Sequence, residues 1–349
     1  MSDRAVLMTP SRGLGGGIER YVETLEAAFV HEGVDYDRID QRHPGVAAHR
    51  QMLDDVVAGV RSRGKATRLV VAHPRLLPVA VLAARRAPVD GISVLCYGSD
   101  VWVSRFSLRW PLEKALMRRA DVRVVAISGF TAGALVNSAP ATILPGAVTQ
   151  EWFDTLVEAG AMAQPDKPGI DLVTVFRLAD WRDKGLPELL EAVASLGRGD
   201  VSLTVVGTGN ATPELRRLVS RYERCVIRSS LTDHELARQL ASADLLVLAT
   251  RTRAGRRASG EGFGLVLLEA QLAGTPVVAP AHGGSYDVFV SQITGVAPTD
   301  ESAQSLARVL NELLRDPPRL ARMGQRASEW AREAFAPGQY ASLAVARLL

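Results

Sequence analysis

Short apolar runs alternate with longer amphipathic stretches along nearly the whole chain. Residues 5–8, 68–72, 92–97 and 122–127 are valine- and leucine-rich and short, as buried strands are. Between them, 18–31, 76–86 and 108–119 carry apolar residues at helical spacing, with Val22, Leu25 and Phe29 on one face of the first. The pattern then repeats. Strands are expected at 172–176, 202–206, 226–227, 244–248 and 277–279, and helices at 187–196, 232–242, 265–272, 303–314 and 318–335. Pro187 suits a first helical turn, Thr232 with Glu235 three residues on suits a capping box, and Ser128 suits a cap after its strand. Strands alternating with helices predict parallel sheets wrapped by helices, here α/β with two Rossmann-like doubly wound domains facing across a cleft. Residues 1–150 form the first and 165–335 the second, with the hinge placed in the proline-bearing stretch 140–168. The tail 336–349 resembles the C-terminal helix that, in folds of two such domains, crosses back to the first.

One stretch breaks the apolar pattern. Ser259-Gly260-Glu261-Gly262-Phe263-Gly264 is a glycine-rich loop, and the helix after it is apolar except for Glu269 and Gln271. Gly274 and Pro276 end that helix. An acid inside an apolar helix is costly unless it meets hydrogen-bond donors. The hydroxyls of a bound sugar would be such donors for Glu269, and Glu261 could serve a second set. The plain alternative for both is a solvated or ion-paired glutamate.

Composition narrows the field. With 349 residues, 47% hydrophobic and 23% charged, the chain has material for two soluble cores. A formal charge of +3 argues against nucleic acid as a main partner. Cys96 and Cys225 fit no metal or redox spacing, and neither a metal nor a cofactor is expected. A cytoplasmic setting follows from the cysteine usage and from the absence of a signal core or an 18-residue apolar run. Residues 105–119 mix Phe106, Leu108, Trp110 and Leu112 with Arg105, Arg109, Lys114 and Arg118. That helix can pack on its own sheet with a solvated basic face, or make a peripheral contact with the inner face of an anionic membrane.

Near the N-terminus, strand 5–8 runs through Gly13-Leu14-Gly15-Gly16-Gly17 into a helix, an arrangement suited to anions. The dinucleotide fingerprint fails, because its third glycine would fall on Ile18. Further motifs stand in register. Glu261 and Glu269 form an E-x7-E pair in an E-G-F-G setting. Val175-Phe176-Arg177-Leu178 precedes Lys184-Gly185, and Leu203 to Val206 leads into Gly207-Thr208-Gly209. Ser242-Ala243-Asp244, His282-Gly283-Gly284 and Gly16-Gly17-Ile18-Glu19-Arg20 complete the set. In order and spacing, over nearly the whole chain, these resemble the retaining nucleotide-sugar glycosyltransferases of family 4, with the GT-B fold.

The resemblance implies transfer of a sugar from a nucleotide-diphosphate sugar to a hydroxyl of a small-molecule, lipid-linked or glycan acceptor. It implies retention of configuration, no metal, and front-face attack in which the leaving phosphate helps to take the acceptor proton. On that pattern Glu269 accepts from the ribose hydroxyls, Glu261 holds a hydroxyl of the donor sugar, and Arg177 and Lys184 clamp the diphosphate. Fixed cations there would stabilise the charge that grows on the leaving group. Gly209, Gly262, Phe263, Gly264, Gly283 and Gly284 would shape the nucleotide-sugar site, and Gly16 and Gly17 would meet the phosphates from the first domain. The bland readings are an ion pair for Arg177 and ordinary turns for the glycines.

One departure from the pattern bears on mechanism. Tyr97 stands where the family carries a histidine, and a tyrosine is a poor base near neutral pH. Asp100, three residues on, could contact acceptor or sugar. A nucleotide-sugar epimerase of the same fold, and a catalytically silent nucleotide-sugar-binding protein, are the alternatives.

Overall fold

The valine- and leucine-rich runs pair into two wholly parallel six-stranded sheets in the computed structural model, which describes residues 4–10, 17–41, 45–62, 67–98, 100–102, 110–163, 168–253 and 258–349. Two units result. One comprises Met1–Thr149 with Arg253–Ala258 and Pro337–Leu349, the other Gln150–Thr252 with Ser259–Ala336.

The first sheet holds β1 (Arg4–Thr9), β2 (Asp35–Asp40), β3 (Arg68–Val71), β4 (Gly91–Cys96), β5 (Val122–Ala126) and β6 (Ala141–Ile143), in the order β2-β1-β3-β4-β5-β6. The order reverses between β1 and β3, so their carboxyl ends flank the crevice where doubly wound sheets bind ligands. Helices α1 (Gly17–His31), α2 (Val46–Arg61), α3 (Leu77–Ala84), α4 (Trp110–Met117) and α5 (Gly129–Leu135) connect the strands. The last helix, Pro337–Leu348, packs against α1, and the Ser93 hydroxyl on β4 donates to its Leu348 carbonyl at 2.7 Å.

The second unit begins with α6 (Gln150–Met162). Its sheet holds β7 (Ile170–Val175), β8 (Val201–Gly207), β9 (Cys225–Ser229), β10 (Leu245–Val247), β11 (Val277–Val278) and β12 (Gly295–Val296), ordered β12-β11-β10-β7-β8-β9. Here the reversal lies between β7 and β10. Helices α7 (Leu186–Ser195), α8 (Pro213–Val219), α9 (Asp233–Ala241), α10 (Leu265–Leu272), α11 (Ala303–Leu314) and α12 (Pro317–Ala334) cover the sheet.

Local chemistry sets several ends. Thr232 and Glu235 close the expected capping box on α9, and Ser128 accepts from the Thr131 amide at the start of α5. At the end of α10, Gly274 takes φ +85°, and the amides of Gly274 and Thr275 bond the carbonyls of Gln271 and Ala270, a Schellman closure.

The structure adds helices α2, α6 and α8 and strands β2, β6 and β12 to the elements expected from the sequence. The stretch 140–168, expected as the hinge, contains β6 and α6, and Trp152 and Leu156 of α6 are buried. The polar run Asp35–Asp40 is a strand that no apolar pattern announced. Its residues are half-buried and held by charge: Arg38 pairs with Glu26 and Asp40, and the fully buried Arg4 of β1 pairs with Asp37 and, at 3.6 Å, with Asp35.

Candidate functional site

The loop after β7 and the loop after β10 meet at the reversal in the second sheet. Gly185 makes this approach possible. It sits at φ +66°, and a Cβ built there would lie 2.0 Å from the carbonyl oxygen of Ala249. Only glycine lets the two backbones come so close. A similar constraint fixes Gly207, whose Cβ would fall 2.1 Å from the carbonyl oxygen of Phe176.

Three side chains converge beside this contact. Lys184 Nζ donates to Glu261 Oε2 at 2.9 Å, and the Thr250 hydroxyl donates to the same oxygen at 3.1 Å. Glu261 is held through its backbone as well, since its carbonyl accepts from the Gly284 amide at 2.7 Å. A Cβ on Gly283, at φ +123°, would stand 2.7 Å from that carbonyl oxygen. The two glycines therefore grip the loop that carries Glu261. Gly262 is half-buried; Phe263 is buried and meets Phe335 edge-on; Gly264, at φ +90°, turns the chain into α10.

Glu269 lies eight residues beyond Glu261, inside α10 and only 5% exposed. Its Oε1 accepts from the indole N–H of Trp152 at 3.0 Å. The donor that sequence reasoning demanded for this carboxylate is thus supplied in part by α6, which that reasoning missed. The signal that could have found it is the helical spacing of Trp152, Phe153, Leu156 and Val157.

Arg177 is half-exposed and forms a two-point ion pair with Asp180, at 2.8 Å from Nε and 2.7 Å from Nη2. The same turn carries Lys184, whose amide bonds the Asp180 carbonyl. Gly209 takes φ +84° with open space around it. Lys184, Glu261, Gly283 and Gly284 are thus brought together, with Gly264 beside the Glu261 side chain, while Arg177 is turned to its own loop.

In the first unit, Gly17 is the exposed first residue of α1, and Gly16 lies outside the described residues. Tyr97 follows β4 and stacks edge-on against Tyr21 at 5.6 Å between ring centroids. Its hydroxyl is buried with no partner among the described residues. Burial, with Tyr21 and Asp100 nearby, holds the phenol well above its ordinary value, so it can donate but not act as a base. The Asp100 carboxylate accepts from the amides of Tyr97, at 3.0 Å, and Gly98, at 2.6 Å. Burial pushes it up to about 6 against those bonds. The Asp100 carboxylate is thus bonded to its own turn.

Among the described residues no helix is long and apolar enough to cross a membrane.

The comparisons with known proteins agree with this geometry. Residues 163–330 match the family model described as "Glycosyl transferases group 1". The chain is 31% identical over 274 residues to the GDP-mannose-dependent alpha-(1-6)-phosphatidylinositol monomannoside mannosyltransferase of Mycolicibacterium smegmatis, covering 73% of this chain and 69% of that one. It is 26% identical over 391 residues to the D-inositol 3-phosphate glycosyltransferase of Pseudarthrobacter chlorophenolicus, covering 93% and 90%. Among solved structures, Anabaena HepE in complex with UDP superposes with a TM-score of 0.75 at 18% identity, over 99% of this chain and 100% of that one. Two parallel sheets of these orders, the convergent Lys184–Glu261 site and these relatives lead to one assignment: the chain belongs to the group 1 glycosyltransferases, family 4, with the GT-B fold.

Proposed function

We propose that this glycosyltransferase moves a mannosyl group from GDP-mannose to a hydroxyl of an inositol-bearing acceptor, with retention of configuration and without a metal. The observation that carries the reading is the meeting of Lys184, Thr250 and Glu261 at the β7/β10 reversal, eight residues before the buried Glu269. The sugar and acceptor classes rest on the names of the M. smegmatis and P. chlorophenolicus relatives.

In the proposed complex Glu269 accepts from the ribose hydroxyls while Trp152 holds it in place. Lys184 has three N–H donors, of which Glu261 takes one, so the others can reach the diphosphate. Arg177 keeps Nη1 for the same purpose. Glu261 orients a sugar hydroxyl and is not a nucleophile. The bond from the anomeric carbon to the phosphate oxygen breaks, and the acceptor oxygen bonds that carbon on the same face. The acceptor proton passes to the departing phosphate oxygen, leaving a glycoside and GDP. Lys184 and Arg177 stabilise the charge that develops on that phosphate. We further propose that the enzyme sits at the cytoplasmic face of the membrane and touches it through residues 105–119, of which 105–109 lie outside the described residues and Leu112 and Arg118 are exposed.

The test is thermal unfolding with GDP, UDP, dTDP and ADP and their sugars, on the unsubstituted protein and Glu269→Ala. A ligand of the folded state adds about 2.7 kcal/mol at a hundredfold excess over its dissociation constant. Stabilisation by GDP-mannose that Glu269→Ala abolishes is expected. Stabilisation by a different nucleotide alone would refute the choice of donor, and no response to any would refute the reading at its root.

A further inference from the structure

The first sheet has its own reversal, between β1 and β3, and there the chain places a histidine that the donor site does not use. The ladder pairs Met8 with Val71 and Val71 with Val94. His73 therefore stands two residues past the end of β3, at the rim that faces the crevice. Thr9, at the end of β1, spends its hydroxyl on Asp40, and Pro10 and Ala72 have no side-chain donor. His73 is the first side chain beyond β3 with a polar group to offer.

Its ring is held in one orientation. The Arg75 amide donates to His73 Nδ1 at 3.2 Å, capping the short 3-10 turn Pro74–Leu76. Because Nδ1 accepts, the proton of the neutral ring is on Nε2. Burial, with the Arg75 charge beside it, lowers the imidazole to about 4, so the ring is neutral through the physiological range. Nε2 has no hydrogen-bond partner among the described residues. A cap alone is served at least as well by Asp, Asn or Ser. What histidine adds is an N–H fixed at the far edge of the ring.

We propose that His73 is an acceptor-positioning residue, its Nε2–H donating to an oxygen of the acceptor substrate at the β1/β3 crevice. The inference rests on the transferase reading and adds to it the group that orients the acceptor in the first unit. His73 is not the base: with its proton already on Nε2, it can only donate towards the crevice.

Two substitutions separate this role from the cap. Asn reproduces the Nδ1 acceptor without the Nε2 donor, and Gln reaches the Nε2 position without the cap. Binding of D-inositol 3-phosphate and of phosphatidylinositol monomannoside in mixed micelles is measured with GDP present, alongside KM and kcat with GDP-mannose. His73→Asn is expected to keep the melting temperature and the GDP-induced stabilisation, and to weaken acceptor binding and raise acceptor KM by about tenfold. His73→Gln is expected to regain most of that affinity despite a lower melting temperature. Long-range proton–nitrogen NMR, with the ring assigned by its loss in His73→Asn, should report the neutral Nε2–H tautomer from pH 6 to 8. Unchanged acceptor affinity in His73→Asn would overturn the proposal. So would loss of the GDP response in that variant, or an Nδ1–H tautomer. If the unsubstituted protein gives no GDP response, the transferase reading itself falls and takes this inference with it.

Discussion

Replacing Trp152 by Phe removes the indole N–H that Glu269 accepts at 3.0 Å, with the carboxylate only 5% exposed. A hydrogen bond to a charged group contributes about 1.5–3 kcal/mol, and trimming a buried aromatic adds a packing cost. For a unit of this size, that hydrogen-bond part alone corresponds to a melting temperature lower by roughly 3–12 °C. A double-mutant cycle with Glu269→Gln separates the two costs. The amide oxygen of Gln still accepts, but the bond loses its charge assistance and about half its strength. Trp152→Phe should therefore cost about 1 kcal/mol less in the Glu269→Gln background than in the unsubstituted protein, the packing part cancelling. Urea unfolding followed by circular dichroism gives the four stabilities. GDP titrations on the same proteins should show weaker binding by Trp152→Phe, because the clamp on the ribose-binding carboxylate is gone. Equal costs in the two backgrounds would show that the bond carries no charge-assisted stability, and unchanged GDP affinity would refute its role in holding Glu269.

Gly185→Ala should destabilise the second unit by at least about 1–3 kcal/mol more than Gly209→Ala in urea unfolding. Both take positive φ, but only the first brings a methyl to 2.0 Å from a backbone oxygen. Lys184→Met removes a cation 24% exposed from its bond to Glu261 and should weaken GDP-mannose binding by roughly 10- to 150-fold in calorimetric titration, as loss of about 1.5–3 kcal/mol implies. His73 should make the protein acid-sensitive. Its folded value, about 4, lies below the unfolded 6.5, so the unfolded chain binds more protons in that window, and stability falls as pH drops through it. His73→Asn should flatten the pH dependence by an amount on the order of 1–3 kcal/mol between pH 6.5 and 4, read as a difference from the unsubstituted protein. The comparison matters because Asp100, raised to about 6, acts with the opposite sign: its contribution is full below about 4 and is lost as pH rises through 6.

The donor-site residues were legible because their chemistry is local. Glu261 and Glu269 stand out as acids beside glycine and leucine, and Gly274 announces the end of α10 before any contact is known. The strand Asp35–Asp40 was not legible, because an edge strand stabilised by Arg4, Arg38 and their carboxylates carries no apolar alternation to read. Trp152 and His73 were passed over for a related reason. Each is a single residue whose meaning depends on which remote group it meets: the Glu269 carboxylate for one, the rim of β3 beside β1 for the other.

By itself the sequence determined the alternation of strands and helices, the two doubly wound units and the carboxylate pair, since these follow from periodicity, glycine placement and the cost of burying charge in an apolar helix. Only the tertiary structure decided that Lys184 and Glu261 are ion partners 77 positions apart, that Asp100 serves its own turn, and where each strand order reverses. Strand order is a property of which segments pair across the sheet, and pairing between distant segments leaves no periodic trace along the chain that either strand carries alone.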